Sequence, residues 1–163
     1  MDIIQGKVYI MGDDINTDDI VPSHSLTLRD ACDMAQCACE TIDPEFSTIS
    51  ENLNIIIAGE NFGCGSSREE AVNVFKILGI KAIIAKSIAR IYFRNLINLG
   101  IPGIILDWNK DDFSRSDEIL ISLEKGEVDN ITKNKTITFE KLPPFLINIL
   151  KKGGILNKIK ETL

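Results

Sequence analysis

Several features that would assign the chain to a common functional class are missing from it. No apolar run approaches the ~20 residues of a membrane-spanning helix, and residues 1–5 have the pattern of neither a signal peptide nor a transit peptide, so we expect a cytoplasmic protein. Basic residues are in deficit, with 18 Lys and Arg against 24 Asp and Glu. The net charge of −6 argues against a general binder of nucleic acids or anionic membranes, although it leaves room for a local basic pocket.

Residues that commonly hold metals are also scarce. His24 is the one histidine, and the four cysteines are Cys32, Cys37, Cys39 and Cys64. The first three cysteines lack the Cys-x2-Cys spacing of zinc sites and have no fourth ligand near them in the sequence. The acidic loop at 12–22 does not match a calcium-binding loop. We therefore predict no metal ligands in this chain, and we expect its thiols to be reduced.

Apolar periodicity predicts a chain in which strands and helices alternate. Strands are predicted at 6–11, 54–58, 81–85, 102–106, 118–123 and 135–139, and helices at 29–39, 71–78, 87–99 and from Pro143 onward, with a break at Gly153 and Gly154. The first four strands alternate with helices, which predicts parallel pairing, whereas the last two are predicted to be antiparallel and joined by a turn near Gly126. The whole chain, 1–163, is expected to form one α/β domain.

A glycine-rich stretch at 59–70 joins a predicted buried strand to a predicted helix. Its three glycines permit tight turns and close approaches, and it places Ser66, Ser67 and Arg68 at the start of the helix. Free N–H groups and the helix dipole favour an anion there, so we expect a site for a carboxylate-bearing substrate. The Gly-Lys-Ser/Thr ending of a nucleotide loop is absent. Each serine is also followed three residues later by glutamate, so the alternative is that both serines only cap the helix.

Two more groups of polar residues have both a structural and a functional interpretation. The loop at 12–22 is rich in Asp and Asn, which favour turns, but its Thr17 and Asp18 are also suited to hydrogen-bond in a pocket. Arg90 and Arg94 lie four residues apart on a predicted helix. We expect them to brace the fold or to contact a partner, because long basic side chains also pack on apolar surface. His24 is expected to be a surface histidine.

Three motifs together give the chain a family resemblance. They are Gly-Asp-Asp-Ile-Asn-Thr-Asp-Asp-Ile at 12–20, Gly-Cys-Gly-Ser-Ser-Arg-Glu at 63–69 and Ala-Lys-Ser-Ile-Ala-Arg-Ile at 85–91. In this order and spacing they resemble the small subunits of 3-isopropylmalate dehydratases, the swivel domain of the aconitase superfamily. The likeness covers nearly the whole chain. It implies an aconitase C-terminal-domain-like fold, in which a single swivelling β/β/α domain has a mixed parallel and antiparallel sheet.

The resemblance also implies a role for each matching residue. Ser66 matches the catalytic base, Ser67 and Arg68 match residues that bind a substrate carboxylate, and Thr17 and Asp18 match a pair that hydrogen-bonds within the active site. In this dehydration a proton leaves a carbon next to a carboxylate, on which negative charge develops, and a guanidinium is suited to stabilise that charge. Serine is a poor base at its ordinary pKa, so we expect N–H groups of the glycine-rich turn to act as donors to its oxygen.

The implied protein is a hydro-lyase subunit of leucine biosynthesis that is active only with a separate large subunit. The large subunit carries the [4Fe–4S] cluster and its cysteine ligands, and this chain is expected to bind no cofactor. Thr27 stands where relatives have a residue that helps set specificity, and a neutral side chain there favours an alkylated malate such as isopropylmalate. Arg29, two residues on, keeps homoaconitase open. A dimethylmalate-type dehydratase is a further alternative, because its substrate is also an alkylated malate. The non-enzyme possibility is a stand-alone anion-binding regulatory module.

Overall fold

A mixed sheet is the framework of the fold. The computed structural model describes residues 3–163, without the side chain of Thr162, so our expectations for residues 1 and 2 lie outside the described residues. The strands described are β1 Ile3–Ile10, β2 Ile55–Ala58, β3 Ala82–Ala85, β4 Gly103–Ile105, β5 Glu118–Ser122, β6 Glu127–Asn130 and β7 Lys135–Thr138. Their order is β4-β3-β2-β1-β5-β6-β7, in which β1 to β4 pair in parallel and β1, β5, β6 and β7 pair antiparallel. The predicted mixed α/β sheet is therefore confirmed.

Helices connect the parallel strands and follow the antiparallel ones. They are α1 Thr17–Ile20, a 3-10 helix Ser23–Thr27, α2 Ala31–Gln36, α3 Phe46–Ile49, α4 Glu70–Leu78, α5 Arg90–Asn98, α6 Pro144–Lys151 and α7 Ile155–Thr162. Within residues 3–163, no helix has the length and apolar character needed to cross a bilayer. Helix α4 ends at Gly79 with a φ of +82°, and the predicted break between the last two helices falls at Gly153 and Gly154.

Two apolar clusters occupy the two faces of the sheet. In β2, Ile55 and Ile57 belong to one cluster, and Ile56 and Ala58 belong to the other. Successive side chains of a strand point to opposite faces, so a strand that is covered on both sides needs apolar residues at every position. This explains the unbroken apolar run of β2, in which every residue is buried. It also explains why this part of the sheet could be predicted from the sequence.

The antiparallel half of the sheet departs from the prediction. We expected 118–123 and 135–139 to be joined directly through a turn, but β6 lies between them and pairs with both. The prediction was wrong because β6 has a single apolar residue, Val128. Its last residue, Asn130, is buried. The buried amide is satisfied because it donates to the backbone oxygen of Asp112 and to Asp117 Oδ2, both at 2.8 Å. Hydrogen bonds between residues that lie far apart in the sequence thus keep this polar segment in the sheet.

A candidate active site at the carboxyl ends of the parallel strands

Three loops meet at one edge of the sheet. They follow β1, β2 and β3, whose carboxyl ends lie side by side because the strands are parallel, with Ile10 beside Ile57 and Ala58 beside Ala85. In open α/β sheets this edge is where ligands usually bind. The three motifs of the sequence analysis are these three loops.

The glycine-rich loop after β2 is fastened to the loop after β1. The N–H of Gly63 donates to the oxygen of Ile15 at 2.7 Å, and the N–H of Thr17 donates to the oxygen of Cys64 at 2.9 Å. The buried hydroxyl of Thr17 donates to the backbone oxygen of Ser66 at 2.8 Å. The Thr17 hydroxyl proton is therefore used to fix the backbone of Ser66, which makes Thr17 a positioning residue.

The same loop is fastened on its opposite side to the loop after β3. The N–H of Phe62 donates to the oxygen of Ser87 at 3.0 Å, and the N–H of Ala89 donates to the oxygen of Phe62 at 2.8 Å. The Ser87 hydroxyl accepts from the N–H of Asn61 at 2.6 Å and donates to Glu60 Oε2 at 2.9 Å. These bonds keep residues 87–89 outside the helix, so α5 begins at Arg90 and not at position 87 as predicted.

A buried tyrosine explains one of the glycines. Gly63 has a φ of +78°, and a Cβ at this position would lie 2.2 Å from Tyr92 Cγ. The Tyr92 ring packs edge-on against Phe62 with centroids 5.6 Å apart, and its hydroxyl donates to the oxygen of Ala71 at 2.7 Å. Burial holds the pKa of Tyr92 well above 10.0, so this hydroxyl stays protonated. The loop can therefore run against α5 only with glycine at position 63.

The serines do not cap helix α4, and the capping-box interpretation is wrong. The helix begins at Glu70, and its N-cap Glu69 makes no side-chain cap hydrogen bond. Between residues 3 and 163, the hydroxyls of Ser66 and Ser67 have no hydrogen-bond partner, and the N–H groups of residues 65–68 donate no hydrogen bond. Two hydroxyls and four consecutive N–H groups are thus available to a ligand, and a run of free N–H groups is a common anion cradle.

Residues 65–68, which carry these groups, line a pocket of about 380 Å³. Its lining consists of Thr17, Gly63, residues 65–68, residues 89–92 and Asn95. The lining includes two arginines and no acidic residue. Arg68 Nε is buried without a hydrogen-bond partner, and its Nη2 lies 3.6 Å from Oδ1 of Asp18, whose side chain is 61% exposed. A buried guanidinium N–H without a protein acceptor is satisfied by an ordered water, an ion or a ligand.

The pocket lies wholly within a segment that matches a known family. Residues 16–107, more than half of the chain, match the model of the aconitase C-terminal domain. The chain belongs to the aconitase C-terminal domain family. The resemblance predicted from the three motifs is thereby confirmed, and so is the predicted fold.

Near-full-length relatives of this aconitase C-terminal domain chain include a 3-isopropylmalate dehydratase small subunit and a homoaconitase small subunit. The 3-isopropylmalate dehydratase small subunit 1 of Methanopyrus kandleri is 40% identical over 98% of this chain and 94% of its own length. The methanogen homoaconitase small subunit of Methanocaldococcus jannaschii is 43% identical over 98% of this chain and 92% of its own length. A crystal structure of 3-isopropylmalate dehydratase from M. jannaschii has a TM-score of 0.89 at 43% identity and covers 98% of this chain and 95% of that chain.

The sequence did not place Arg90 at this aconitase-type pocket, and two of the predicted site residues, Asp18 and Thr27, do not line it, although Asp18 contacts Arg68. Arg90, which we expected to brace the fold or contact a partner, lines the pocket. Thr27 lies on the 3-10 helix, where its hydroxyl donates to the oxygen of His24 at 2.9 Å, and it is not one of the lining residues. Arg29 is exposed and also lies outside the lining. Arg90 follows Ala89, whose N–H donates to the oxygen of Phe62. The spacing of residues in the sequence gives no sign of this hydrogen bond, because its two partners lie far apart along the chain.

The four cysteines of this aconitase C-terminal domain chain differ in their exposure to solvent. Within the described residues, one group of three or more metal-ligating side chains has all its ligand atoms within 4.8 Å of one another, and it contains a single cysteine. Cys39 is buried in the core, where burial and the charge of Asp19 raise the pKa of its thiol far above 9.0. Cys64 lies in the glycine-rich loop.

Proposed function

We propose that this chain is the small subunit of a heteromeric hydro-lyase, 3-isopropylmalate dehydratase. This enzyme interconverts 2-isopropylmalate and 3-isopropylmalate by dehydration and rehydration in leucine biosynthesis. The observation that carries the proposal is Arg68, whose buried Nε has no acceptor and borders a pocket without acidic side chains. A dicarboxylate supplies the missing acceptor. We also propose that residues 1–163 act as one swivel domain; the cytoplasmic location stays a prediction.

Arg68 and Ser67 bind a substrate carboxylate. A guanidinium presents several N–H donors in one plane, which suits the two oxygens of a carboxylate. The free N–H groups of residues 65–68 add donors on the same loop. Asp18 lies 3.6 Å from Arg68 Nη2 and holds the guanidinium in place. As the adjacent carbon loses its proton, charge moves onto this carboxylate, and donors that are already positioned stabilise it without reorganisation.

Ser66 accepts the proton from the carbon next to that carboxylate. Its hydroxyl is exposed and has no hydrogen-bond partner within residues 3–163, so it is free to face a substrate. The bond from Thr17 to the Ser66 backbone oxygen fixes the direction of this residue. A serine acts as a base only when donors stabilise its alkoxide, and the N–H groups beside it are the available donors.

We propose that a large subunit completes the enzyme and carries the [4Fe–4S] cluster. The spread of the four cysteines over exposed, partly buried and core positions supports that division. The pocket also opens to solvent beside Ile91, an apolar side chain that is 54% exposed. An enzyme that excludes water from its substrate needs a second surface to cover this side.

A homoaconitase small subunit is the second candidate function. Arg90 adds a second guanidinium to the pocket lining, which suits a substrate with an extra carboxylate, and a relative with 43% identity is named for homoaconitase. The apolar Ile91 of the lining favours an alkyl group instead. A dimethylmalate-type dehydratase shares the preference for an alkyl group, and a stand-alone module would use the anion cradle for binding only.

Reconstitution with the cognate large subunit tests the proposal. We expect neither subunit alone to turn over substrate and the mixture to act fastest on isopropylmalate among isopropylmalate, homoaconitate and dimethylmalate. Faster turnover of homoaconitate would replace the first candidate with the second. A stable complex without hydratase activity on any of them would favour the regulatory module.

Thr27→Arg tests the specificity assignment. If the 3-10 helix Ser23–Thr27 approaches the substrate in the assembled enzyme, a new guanidinium there should shift the ratio of kcat/KM toward the tricarboxylate. An ion pair in a dry site is commonly worth a tenfold change or more. An unchanged ratio, with Arg29→Ala as the parallel variant, would remove this helix from substrate recognition.

A further inference from the structure

Three metal-ligating side chains meet outside the pocket. Nε2 of His24, Sγ of Cys37 and a carboxylate oxygen of Glu40 all lie within 4.8 Å of one another. His24 is on the 3-10 helix Ser23–Thr27, whereas Cys37 is the C-cap of α2 and Glu40 is in the turn that follows. His24 is exposed, and Cys37 and Glu40 are partly buried, so an ion can reach the group from solvent.

We propose that these three side chains bind a zinc ion, with water as the fourth ligand. Imidazole, thiolate and carboxylate are the three donor types that Zn²⁺ uses in proteins. Ligand bonds of about 2.0–2.3 Å in a tetrahedron place donor atoms roughly 3.3–3.8 Å apart. To reach this geometry the His24 nitrogen and the Glu40 oxygen, which are in direct contact, move apart, and the Cys37 sulfur, within 4.8 Å of both, completes the triangle of donors.

A simple ion pair explains less of this arrangement than a metal site does. His24 Nε2 and Glu40 Oε1 are in direct contact, and their side chains are 64% and 34% exposed. A pair this exposed contributes little to stability. An ion pair also gives no reason for the Cys37 sulfur to lie beside the two partners. A zinc ion uses all three groups.

The ion would tie the 3-10 helix to the end of α2. The hydroxyls of Ser25 and Thr27 bond only locally, to the backbone oxygens of Pro22 and His24 at 2.6 and 2.9 Å. The contact between His24 and Glu40 spans 16 residues and is the side-chain hydrogen bond that links this helix to the turn after α2 within the described residues. A metal at this place therefore acts as a structural clip on the 3-10 helix.

Zinc titration of the full chain tests the site, with Zn²⁺ alone as the probe and a chelator as competitor. We expect one zinc ion per chain, and about 100-fold weaker binding in each of Cys37→Ser, His24→Gln and Glu40→Gln. Cys32→Ser is the matched control, because it removes an exposed thiol of the same helix, and it should leave the affinity unchanged. Cobalt substitution should give thiolate-to-cobalt absorption in the wild type and not in Cys37→Ser.

Hydrogen exchange provides the structural readout. Zinc should slow amide exchange in residues 23–27 of the wild type and leave the exchange of Cys37→Ser unchanged, while urea unfolding confirms that this variant is folded. Equal loss of affinity in Cys32→Ser and Cys37→Ser would overturn the site, as would zinc binding no tighter in the wild type than in Cys37→Ser. The proposal uses no activity assay, so its failure leaves the proposed dehydratase function untouched.

Discussion

Replacing Arg68 by methionine should raise the stability of the isolated chain and lower the activity of the reconstituted enzyme. The buried Nε of Arg68 lacks an acceptor in the free chain, and such a donor costs about 1–3 kcal/mol. The contact with Asp18 at 3.6 Å offsets less than about 1 kcal/mol, because the carboxylate is 61% exposed. Methionine keeps an unbranched stem of similar reach and removes the buried donor.

We therefore expect Arg68→Met to raise the free energy of unfolding of the isolated chain by about 1 kcal/mol, equivalent to a Tm increase of about 2–4 °C. The same variant should lower kcat/KM of the reconstituted enzyme by about 10²–10³, the usual effect of removing one donor to a developing negative charge. The two effects have opposite signs because the guanidinium is positioned for the ligand at a cost to the free fold.

Urea unfolding followed by circular dichroism, together with steady-state kinetics of the reconstituted enzyme, measures both quantities. Lys110→Met serves as the charge control, since it removes an exposed cation outside the pocket lining and should change neither quantity appreciably. A loss of more than about 1 kcal/mol of stability in Arg68→Met would refute the reasoning and make Arg68 a structural residue. Turnover close to that of the wild type would refute its role in binding.

Two further predictions concern the fold around the site. Gly63→Ala should lower the free energy of unfolding more than Gly79→Ala does. Both glycines have a positive φ, +78° and +82°, but only at Gly63 would the new Cβ meet another residue, at 2.2 Å from Tyr92 Cγ. Equal unfolding free energies of the two variants would contradict this prediction. Burial and the hydrogen bond to Asp43 raise the pKa of Tyr9 to about 12, so the protonated hydroxyl stabilises the fold fully below pH 10.0 and loses this effect as pH rises to about 12. Tyr9→Phe should flatten that part of the stability profile, and an unchanged slope would show that Tyr9 does not titrate there.

Local sequence patterns predicted the parallel half of the sheet well, for a physical reason. Strands β2 and β3 are buried on both faces, so every residue in them is apolar. Strand β6 was missed because the hydrogen bonds of Asn130 to a loop 18 residues earlier keep this mostly polar segment in the sheet. Patterns of apolar residues carry no information about such bonds.

The candidate site was predicted only in part. Glycine spacing placed Ser66 and Arg68 correctly in one loop, but it also suggested a capping box that the structure excludes, because α4 begins at Glu70. Hydrogen bonds from residues 62–64 of this loop to the loops after β1 and β3 hold that part of it outside the helix. Two features depend on contacts that only the folded chain shows. They are the position of Arg90 beside the pocket and the proximity of His24 to Cys37 and Glu40.

Turnover by Ser66→Ala in the reconstituted enzyme is the most direct test of the central claim, which is that this chain supplies the base. The variant should assemble with the large subunit as the wild type does, because the bond from Thr17 goes to the backbone oxygen of Ser66 and is retained. We predict that dehydration and exchange of the substrate's carbon-bound proton with solvent both fall to background. Exchange and turnover at wild-type rates would contradict the account.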